Sequence, residues 1–271
     1  MKTSLIGLSN NVTNNIEKIK LWSNSFRKYC DGDVVLLCAN STTQDLKSCE
    51  NLGIKPVEVV VKDTWFINHE RLKHTADYLT SSNTDLFIAT DVFDVVFQGN
   101  PFDNLDTSNY DLFVSGEGVN VGEEPWNSDN INKIFPESFQ ECKKTEVINS
   151  GIIAGKREAL CNLLSRMYQL CETGSSAHNI KDQAALIVMV TKNQIDNLKI
   201  FNLDDGWAMH CAVSGPTQFF ESWGFKHKIK YGIPEMMDGY VVNKFGKKYD
   251  MVHQFNRVPE WHEIIKKVNN L

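Results

Sequence analysis

Apolar and polar positions alternate in blocks through the first part of the chain, and the spacing inside each block indicates its secondary structure. Short apolar runs are typical of buried strands, and they occupy residues 4–8, 33–39, 55–62 and 85–90. Segments whose apolar residues recur at helical spacing stand between these runs, at residues 15–30, 42–53 and 68–82. Because strands that alternate with helices form βαβ units, this pattern predicts an α/β protein with a mainly parallel sheet flanked by helices.

The second part of the chain is less regular. A strand pattern at residues 110–118 leads into residues 117–146, a polar stretch with two prolines and a tryptophan that we interpret as a long loop. Residues 147–174 then give a strand, a turn and a helix, a second helix begins near Lys181, and strand-like pieces close the chain. Without an internal repeat or a clear linker, residues 1–271 are predicted to form one domain.

Composition limits the classes of function. A hydrophobic content of 42% and a charged content of 23% are typical of a soluble globular protein. The formal charge of -6 gives no general attraction to nucleic acid, so no nucleic-acid partner is expected. The amino terminus has too few apolar residues for a signal peptide, and no apolar run reaches the ~20 residues of a membrane span. With seven cysteines and no C-x-x-C pair, these features predict a cytoplasmic protein with reduced thiols and no transmembrane segment.

Two aspartates follow the fourth apolar run, at the sheet edge where open α/β folds bind their ligands. Asp91 comes directly after residues 85–90, and Asp94 precedes a second apolar run. Residues three apart in a regular strand face opposite sides, so both carboxylates reach one ion only if the chain turns between them. Such a pair suits Mg2+ or Mn2+, whereas the alternative is a turn capped by the two aspartates. The stretch alone leaves both interpretations open.

A third candidate ligand is His253, which follows a strand-like segment near the carboxyl terminus. Imidazole is a good ligand for Mn2+. A lone histidine at a strand end is more often a surface or hydrogen-bonded residue, so His253 gains weight only beside the two aspartates. Together they form a plausible metal site.

Polar residues also interrupt two apolar segments. Asn149, Ser150 and Gly151 lie inside a strand pattern, where glycine often marks the close approach of a ligand; an ordinary turn explains them equally well. Asp182 and Gln183 open a hydrophobic helix, where capping is the favoured interpretation. If that helix end faces the metal, these two side chains are suited to hydroxyl-rich groups.

The order of these motifs resembles that of glycosyltransferases with the GT-A fold, most of all the retaining enzymes of family 8. The motifs are TDVFDVVFQGNPF, NSGIIAG, DQAALI and HQFNR. Each is short and common, and their order carries the specificity. The usual acidic motif is D-x-D, whereas Asp91 and Asp94 are three residues apart. Which acid contacts the metal directly therefore stays open, with Asp94 favoured because it stands where the second acid of the motif stands.

The resemblance implies a Rossmann-like GT-A fold with an irregular acceptor side. Residues 1–115 would form the nucleotide-binding half, and residues 116–271 would bind the sugar and the acceptor. Asp91, Asp94 and His253 would hold Mn2+ or Mg2+ on the diphosphate of a nucleotide sugar, which is the donor substrate.

Further residue roles follow from the same resemblance. Arg71 and Asp91 would contact the donor. The pocket for the donor's sugar would be lined by Asn149, Ser150 and Gly151. Asp182 and Gln183 would be catalytic, close to the anomeric carbon. Independently of the resemblance, the polar stretch offers a candidate acceptor wall, because acids accept from hydroxyls and aromatic rings stack on sugar faces; its residues are Glu117, Glu123, Glu124 and Trp126. An exposed polar loop explains the same composition equally well.

The resulting hypothesis is a metal-dependent hexosyl- or pentosyltransferase that moves a sugar from a nucleotide-diphosphate sugar to a hydroxyl of an acceptor, a glycan, with retention of configuration. Three alternatives stay open. One is an inverting enzyme of the same fold, with Asp182 or Glu117 as general base. The others are a non-catalytic protein that binds nucleotide sugar or carbohydrate and, more distantly, a metal-dependent phosphoesterase.

Overall fold

The computed structural model describes residues 1–175, 180–215 and 230–270. Its strands are β1 (Thr3–Asn10), β2 (Asp33–Ala39), β3 (Lys55–Val59), β4 (Leu86–Thr90), β5 (Val95–Phe97), β6 (Leu112–Asn120), β7 (Glu146–Ile148), β8 (Ile152–Lys156), β9 (Leu198–Phe201), β10 (Ala208–His210), β11 (Glu235–Met237), β12 (Tyr240–Val242) and β13 (Met251–His253). Its α-helices are α1 (Ile16–Arg27), α2 (Thr43–Asn51), α3 (Ile67–Ser81), α4 (Pro125–Ile134), α5 (Phe139–Cys142), α6 (Arg157–Thr173), α7 (Asp182–Thr191), α8 (Cys211–Ser214) and α9 (Pro259–Val268).

Eight of these strands form the central sheet, in the order β3-β2-β1-β4-β8-β6-β7, with β9 paired to β6. The first four strands pair in parallel, and so do β6 and β9. β8 runs antiparallel to both β4 and β6, and β7 runs antiparallel to β6. The antiparallel strand β8 brings the residues that precede it to the carboxyl end of β4.

Helices cover both faces of this sheet because neighbouring residues of a strand point in opposite directions. On β1, Ile6 packs into a core shared with α3, α6 and α7, whereas Leu5 packs into a second core shared with α1. Val35 and Leu36 of β2 divide between the two cores in the same way. The predicted α/β class, with a mainly parallel sheet flanked by helices, is confirmed.

A second, three-stranded sheet has the order β10-β13-β5. β13 runs parallel to β10 and antiparallel to β5, so that His253 stands opposite both His210 and Val95. A separate core of apolar residues from these strands packs on Trp261 and Ile265 of α9. This small sheet holds the end of the chain beside the turn that follows β4.

Three features differ from the sequence-based predictions. The prediction of a long loop at residues 117–146 is wrong, because this stretch contains α4 and the short α5. The chain ends with α9, where only strand-like pieces were predicted. Residues 149–151 lie between β7 and β8 and not within one strand. The predicted division at residue 115 falls inside β6, and the assignment of roles to the two halves stays a prediction.

The six cysteines other than Cys161 are buried and all seven have free thiols, as expected for core residues. Among the helices of the described ranges, none has the length and apolar character that a bilayer span requires.

Candidate active site

The chain bends between Asp91 and Asp94, and hydrogen bonds fix both ends of the bend. The backbone N–H of Asp91 donates to the carbonyl of Gly151 at 2.8 Å, and the N–H of Gln254 donates to the carbonyl of Asp94 at 2.7 Å. The two aspartates are therefore not members of one regular strand. The three-residue spacing places both carboxylates near the carboxyl end of β13.

The bend brings Asp91, Asp94 and His253 into one cluster, in which one ligand atom from each residue lies within 4.8 Å of the others. His253 Nε2 lies 3.2 Å from Asp91 Oδ2 and 3.7 Å from Asp94 Oδ1. The His253 side chain is 2% exposed. Two carboxylate oxygens and one imidazole nitrogen, facing each other at the edge of a cleft, are a set of ligands that suits Mn2+.

The state of His253 supports this interpretation. Its Nε2 is buried and makes no hydrogen bond to any residue in the described parts of the chain, although Asp91 Oδ2 lies 3.2 Å away. Burial lowers the pKa of His253, so the ring is neutral at neutral pH. A neutral imidazole is the form that binds a metal. The three side chains thus fit a divalent cation.

Gly151 lies directly against this cluster. A Cβ atom at this position would come within 2.3 Å of His253 Cε1 and 2.8 Å of Asp91 Oδ2. Real Cβ atoms do not approach other heavy atoms so closely, so any side chain would displace the two candidate ligands. Close packing of backbone against the cluster explains the glycine, as its place in an apolar segment suggested.

Arg71, on α3, connects the cluster of candidate metal ligands to the start of α7. Its Nη1 forms an ion pair with Asp91 Oδ1, and its Nη2 lies 2.6 Å from Asp182 Oδ2. Nη2 also donates to the carbonyl of Ser150 at 2.9 Å. Since Arg71 binds one oxygen of Asp91, the other oxygen is left facing His253. The guanidinium therefore orients a candidate metal ligand.

Asp182 does not cap its own helix. The residue before it, Lys181, is the N-cap of α7, and no side chain caps this helix end. Asp182 Oδ2 instead accepts a hydrogen bond from Ser150 Oγ at 2.8 Å. Its other oxygen, Oδ1, is buried and has no hydrogen-bond partner in the described residues. A buried carboxylate oxygen without a donor indicates a place where a ligand hydroxyl binds.

A chain of amides continues from this carboxylate along the cleft. Gln183 Nε2 donates to Asn127 Oδ1 at 2.8 Å, and Asn127 Nδ2 donates to Glu124 Oε2 at 2.7 Å. On the other side, Asn149 Nδ2 donates to Glu117 Oε1 at 2.7 Å. These bonds fix the orientation of each amide, so its remaining donors and acceptors are held in place for hydroxyl groups.

All these groups meet in a cleft of about 320 Å³. The predicted site residues that line it are Arg71, Asp91, Glu117, Trp126, Asn149, Ser150, Gly151, Asp182, Gln183 and His253. Asp94 reaches the cleft only through the metal cluster. Among the polar residues of the lining, sequence reasoning missed Asn68, Asn127, Gln254 and Arg257, whereas Glu124 belongs to the predicted acceptor wall.

Glu124 and Arg257 each left a local signal in the sequence. The side chain of Glu124 caps α4 by accepting from the backbone of Trp126 and Asn127, and proline follows it at the first helical position. An acid before Pro125 is a recognisable helix start. Arg257 stands four residues after His253 in the HQFNR motif and provides the cleft with a second guanidinium.

Glu117 is expected to make folding stability depend on pH. Burial raises its pKa to about 8, although the hydrogen bond from Asn149 works in the opposite direction. The folded state therefore keeps a proton that the unfolded chain loses above its ordinary pKa, so stability falls from about pH 5 to about pH 8, by up to about 1.4 kcal/mol per pH unit. Glu117→Gln should remove this slope in urea unfolding, whereas the exposed Glu137→Gln should retain it. Equal slopes in wild type and Glu117→Gln would contradict the assignment.

The central sheet with its flanking helices has the GT-A fold. Among solved structures, the chain is similar to the galactosyltransferase LgtC, determined in complex with donor and acceptor sugar analogues. The similarity covers 97% of this chain and 95% of that chain, with a TM-score of 0.59 and 10% sequence identity. At this identity the similarity shows the fold. No protein-family model matches the sequence, and no curated protein matches it.

Proposed function

We propose that the protein is a metal-dependent glycosyltransferase that moves a hexosyl or pentosyl group from a nucleotide-diphosphate sugar to a hydroxyl of a carbohydrate acceptor, with retention of configuration. The observation that carries the proposal is the cluster of Asp91, Asp94 and His253 at a cleft of amides and carboxylates. The GT-A fold supports it, because LgtC was solved with donor and acceptor sugar analogues.

Asp91, Asp94 and His253 would hold Mn2+ or Mg2+ at the donor diphosphate. The bound cation supplies electrostatic stabilisation of the negative charge that develops on the leaving diphosphate. Arg71 and Arg257 add two guanidinium groups to the same cleft, and this type of group binds phosphate oxygens well. Arg71 also keeps Asp91 oriented while its positive charge is balanced by Asp91 and Asp182.

The other part of the cleft is suited to the sugar. Asp182 Oδ1 offers a buried acceptor, and Gln183 and Asn149 offer amide groups in fixed orientations. Glu117 is protonated at neutral pH and therefore has a hydroxyl that is able to donate. An oxocarbenium-like sugar is stabilised by nearby carboxylate or amide oxygens, and Asp182 and Gln183 supply both types at the start of α7.

Retention is supported by the state of the two carboxyl groups that an inverting enzyme would use as general base. Asp182 is held by Arg71 and Ser150. Glu117 is buried, and its pKa of about 8 leaves it protonated at neutral pH. An inverting reaction needs a base that takes the acceptor proton. The anomeric configuration of the first product, read by proton NMR, distinguishes the two stereochemical outcomes.

Trp126 is proposed to contact the acceptor, since an aromatic ring in the cleft wall packs well against a sugar face. Trp126→Ala should raise the KM for the acceptor roughly tenfold, equivalent to ~1.4 kcal/mol, and leave the KM for the donor unchanged. The matched control is Trp65→Ala, because Trp65 is 59% exposed and lies outside the cleft lining. A rise in the donor KM alone would assign Trp126 to the donor side and contradict the acceptor role.

A thermal-shift screen tests the function and finds the donor. Nucleotide-diphosphate sugars that differ in base and sugar are added one at a time, with Mn2+ and with an excess of chelator. Ligand at about 100 times its Kd stabilises the folded state by roughly 2.7 kcal/mol, which is a readily measured rise in Tm. We expect one donor to raise the Tm only when Mn2+ is present. If no donor binds with any divalent ion, the proposal is wrong.

A further inference from the structure

Behind the cluster of candidate metal ligands, a second buried histidine contacts His253. His210 and His253 stand opposite each other on the parallel strands β10 and β13. Their Nδ1 atoms are 3.0 Å apart, and the two rings are almost perpendicular. On its far side, His210 Nε2 lies 2.5 Å from Ser115 Oγ of β6. A buried row of three side chains thus leads from the central sheet to the metal cluster.

The short distance between the Nδ1 atoms restricts where the protons lie. A hydrogen bond between two ring nitrogens needs one N–H donor and one lone pair, so only one Nδ1 carries a proton. A neutral imidazole carries a single proton, on either Nδ1 or Nε2.

Two arrangements of protons satisfy these conditions. In one, His253 Nδ1–H donates to His210 Nδ1, and His210 Nε2–H donates to Ser115 Oγ. The lone pair of His253 Nε2 then faces Asp91 and Asp94. In the other, the donors and acceptors are reversed, and His253 Nε2–H faces the two carboxylates. Only the first arrangement leaves Nε2 able to bind a cation.

We infer that His210 and Ser115 are positioning residues, which hold His253 in the orientation and tautomer that present the Nε2 lone pair to a divalent cation between Asp91 and Asp94. This inference rests on the metal site of the proposed function and goes beyond it. A metal-binding histidine usually donates its other N–H to an oxygen, and such partners contribute roughly 10-fold to 100-fold to metal affinity. Here the acceptor is a neutral imidazole, itself fixed by a serine hydroxyl.

The test measures the Kd of Mn2+ by electron paramagnetic resonance of the free ion, without donor or turnover. His210→Phe keeps a ring of similar size but removes the acceptor, so Mn2+ should bind roughly 10-fold to 100-fold more weakly. His210→Asn places an amide oxygen near the position of Nδ1 and should restore much of the affinity. Ser115→Ala removes the outer hydrogen bond and should give a smaller loss.

Controls separate positioning from folding. His74→Phe makes the same change at a half-buried histidine of α3 outside the cleft lining and should leave the Kd unchanged. Thermal melting without Mn2+ reports how much each variant destabilises the fold, and recovery by asparagine is not expected if His210 only fills space.

The outcomes distinguish failure of the positioning role from failure of the proposed metal site. Weaker binding in His210→Phe with recovery in His210→Asn supports the inference. If His210→Phe fails to fold, Ser115→Ala and His210→Asn still test the inference. An unchanged Mn2+ affinity in Ser115→Ala, together with loss of Mn2+ binding in His210→Asn, overturns the inference. Wild-type affinity in His210→Phe overturns the inference alone, while the proposed metal site stands. Absence of Mn2+ binding in the wild type overturns the proposed function and the positioning role together.

Discussion

Asp94→Asn is expected to abolish Mn2+ binding in the micromolar range and to lower kcat/KM for sugar transfer by roughly 100-fold or more. The substitution keeps the size of the side chain but removes one of two anionic ligands from a cluster in which Asp94 Oδ1 lies 3.7 Å from His253 Nε2. A metal ion contributes several kcal/mol to stabilisation of charge in the transition state, and each ~1.4 kcal/mol is a factor of ten in rate. Mn2+ titration and steady-state kinetics measure the two effects.

The matched control is Asp129→Asn, which makes the same change at an exposed residue paired with Lys133 on α4. It should leave metal affinity and rate at the wild-type level. If Asp94→Asn binds Mn2+ and transfers sugar as well as the wild type does, Asp94 is not a metal ligand and only stabilises the bend between β4 and β5. Donor binding that survives without any turnover would instead favour the non-catalytic alternative.

Gly151→Ala is expected to cause a loss of similar size without changing any ligand. The added Cβ would come within 2.3 Å of His253 Cε1 and 2.8 Å of Asp91 Oδ2, so both ligands must move. A misplacement of about 1 Å at a reacting centre costs roughly 100-fold in rate. Mn2+ affinity should fall together with kcat/KM, and both are measured as for Asp94→Asn.

Gly155→Ala provides a close comparison, because Gly155 belongs to β8, four residues further along. Its added Cβ would come within 2.7 Å of Leu112 Cδ2 and 2.9 Å of the carbonyl of Asp111, away from the metal cluster. Overpacking there should lower the Tm but leave the Mn2+ affinity of the folded protein unchanged. If the two alanine variants lose the same metal affinity, general destabilisation explains Gly151→Ala and the account of the cluster is contradicted.

The bounds of strands and helices were predictable where the apolar residues of a segment pack into a hydrophobic core. β2 matches its predicted boundaries of residues 33–39, and α3 begins and ends within one residue of the predicted 68–82. The position of Asp91 at the carboxyl end of β4 also follows from the sequence. Local spacing is informative at these places because each strand or helix buries a continuous face.

The remaining features depend on contacts between distant parts of the chain. α4 was missed because its buried side is partly polar, and Asn127 is buried there by its bonds to Glu124 and Gln183. Hydrophobic periodicity does not detect a helix that packs through amides. His210 likewise has no local signal, since its place beside His253 is set by the pairing of β10 with β13. The order of the motifs indicated the site, whereas its hydrogen-bond network required the structure.

The central claim is metal-dependent transfer from a nucleotide-diphosphate sugar, and release of the nucleoside diphosphate tests it most directly. Each donor of a panel is incubated with the protein and Mn2+, with and without an excess of chelator, and the released nucleoside diphosphate is quantified. The account predicts that one donor is turned over with Mn2+, that chelator stops the release, and that Asp94→Asn reduces it by roughly 100-fold or more. Release from no donor with any divalent ion, or release that chelator leaves unchanged, would contradict the account.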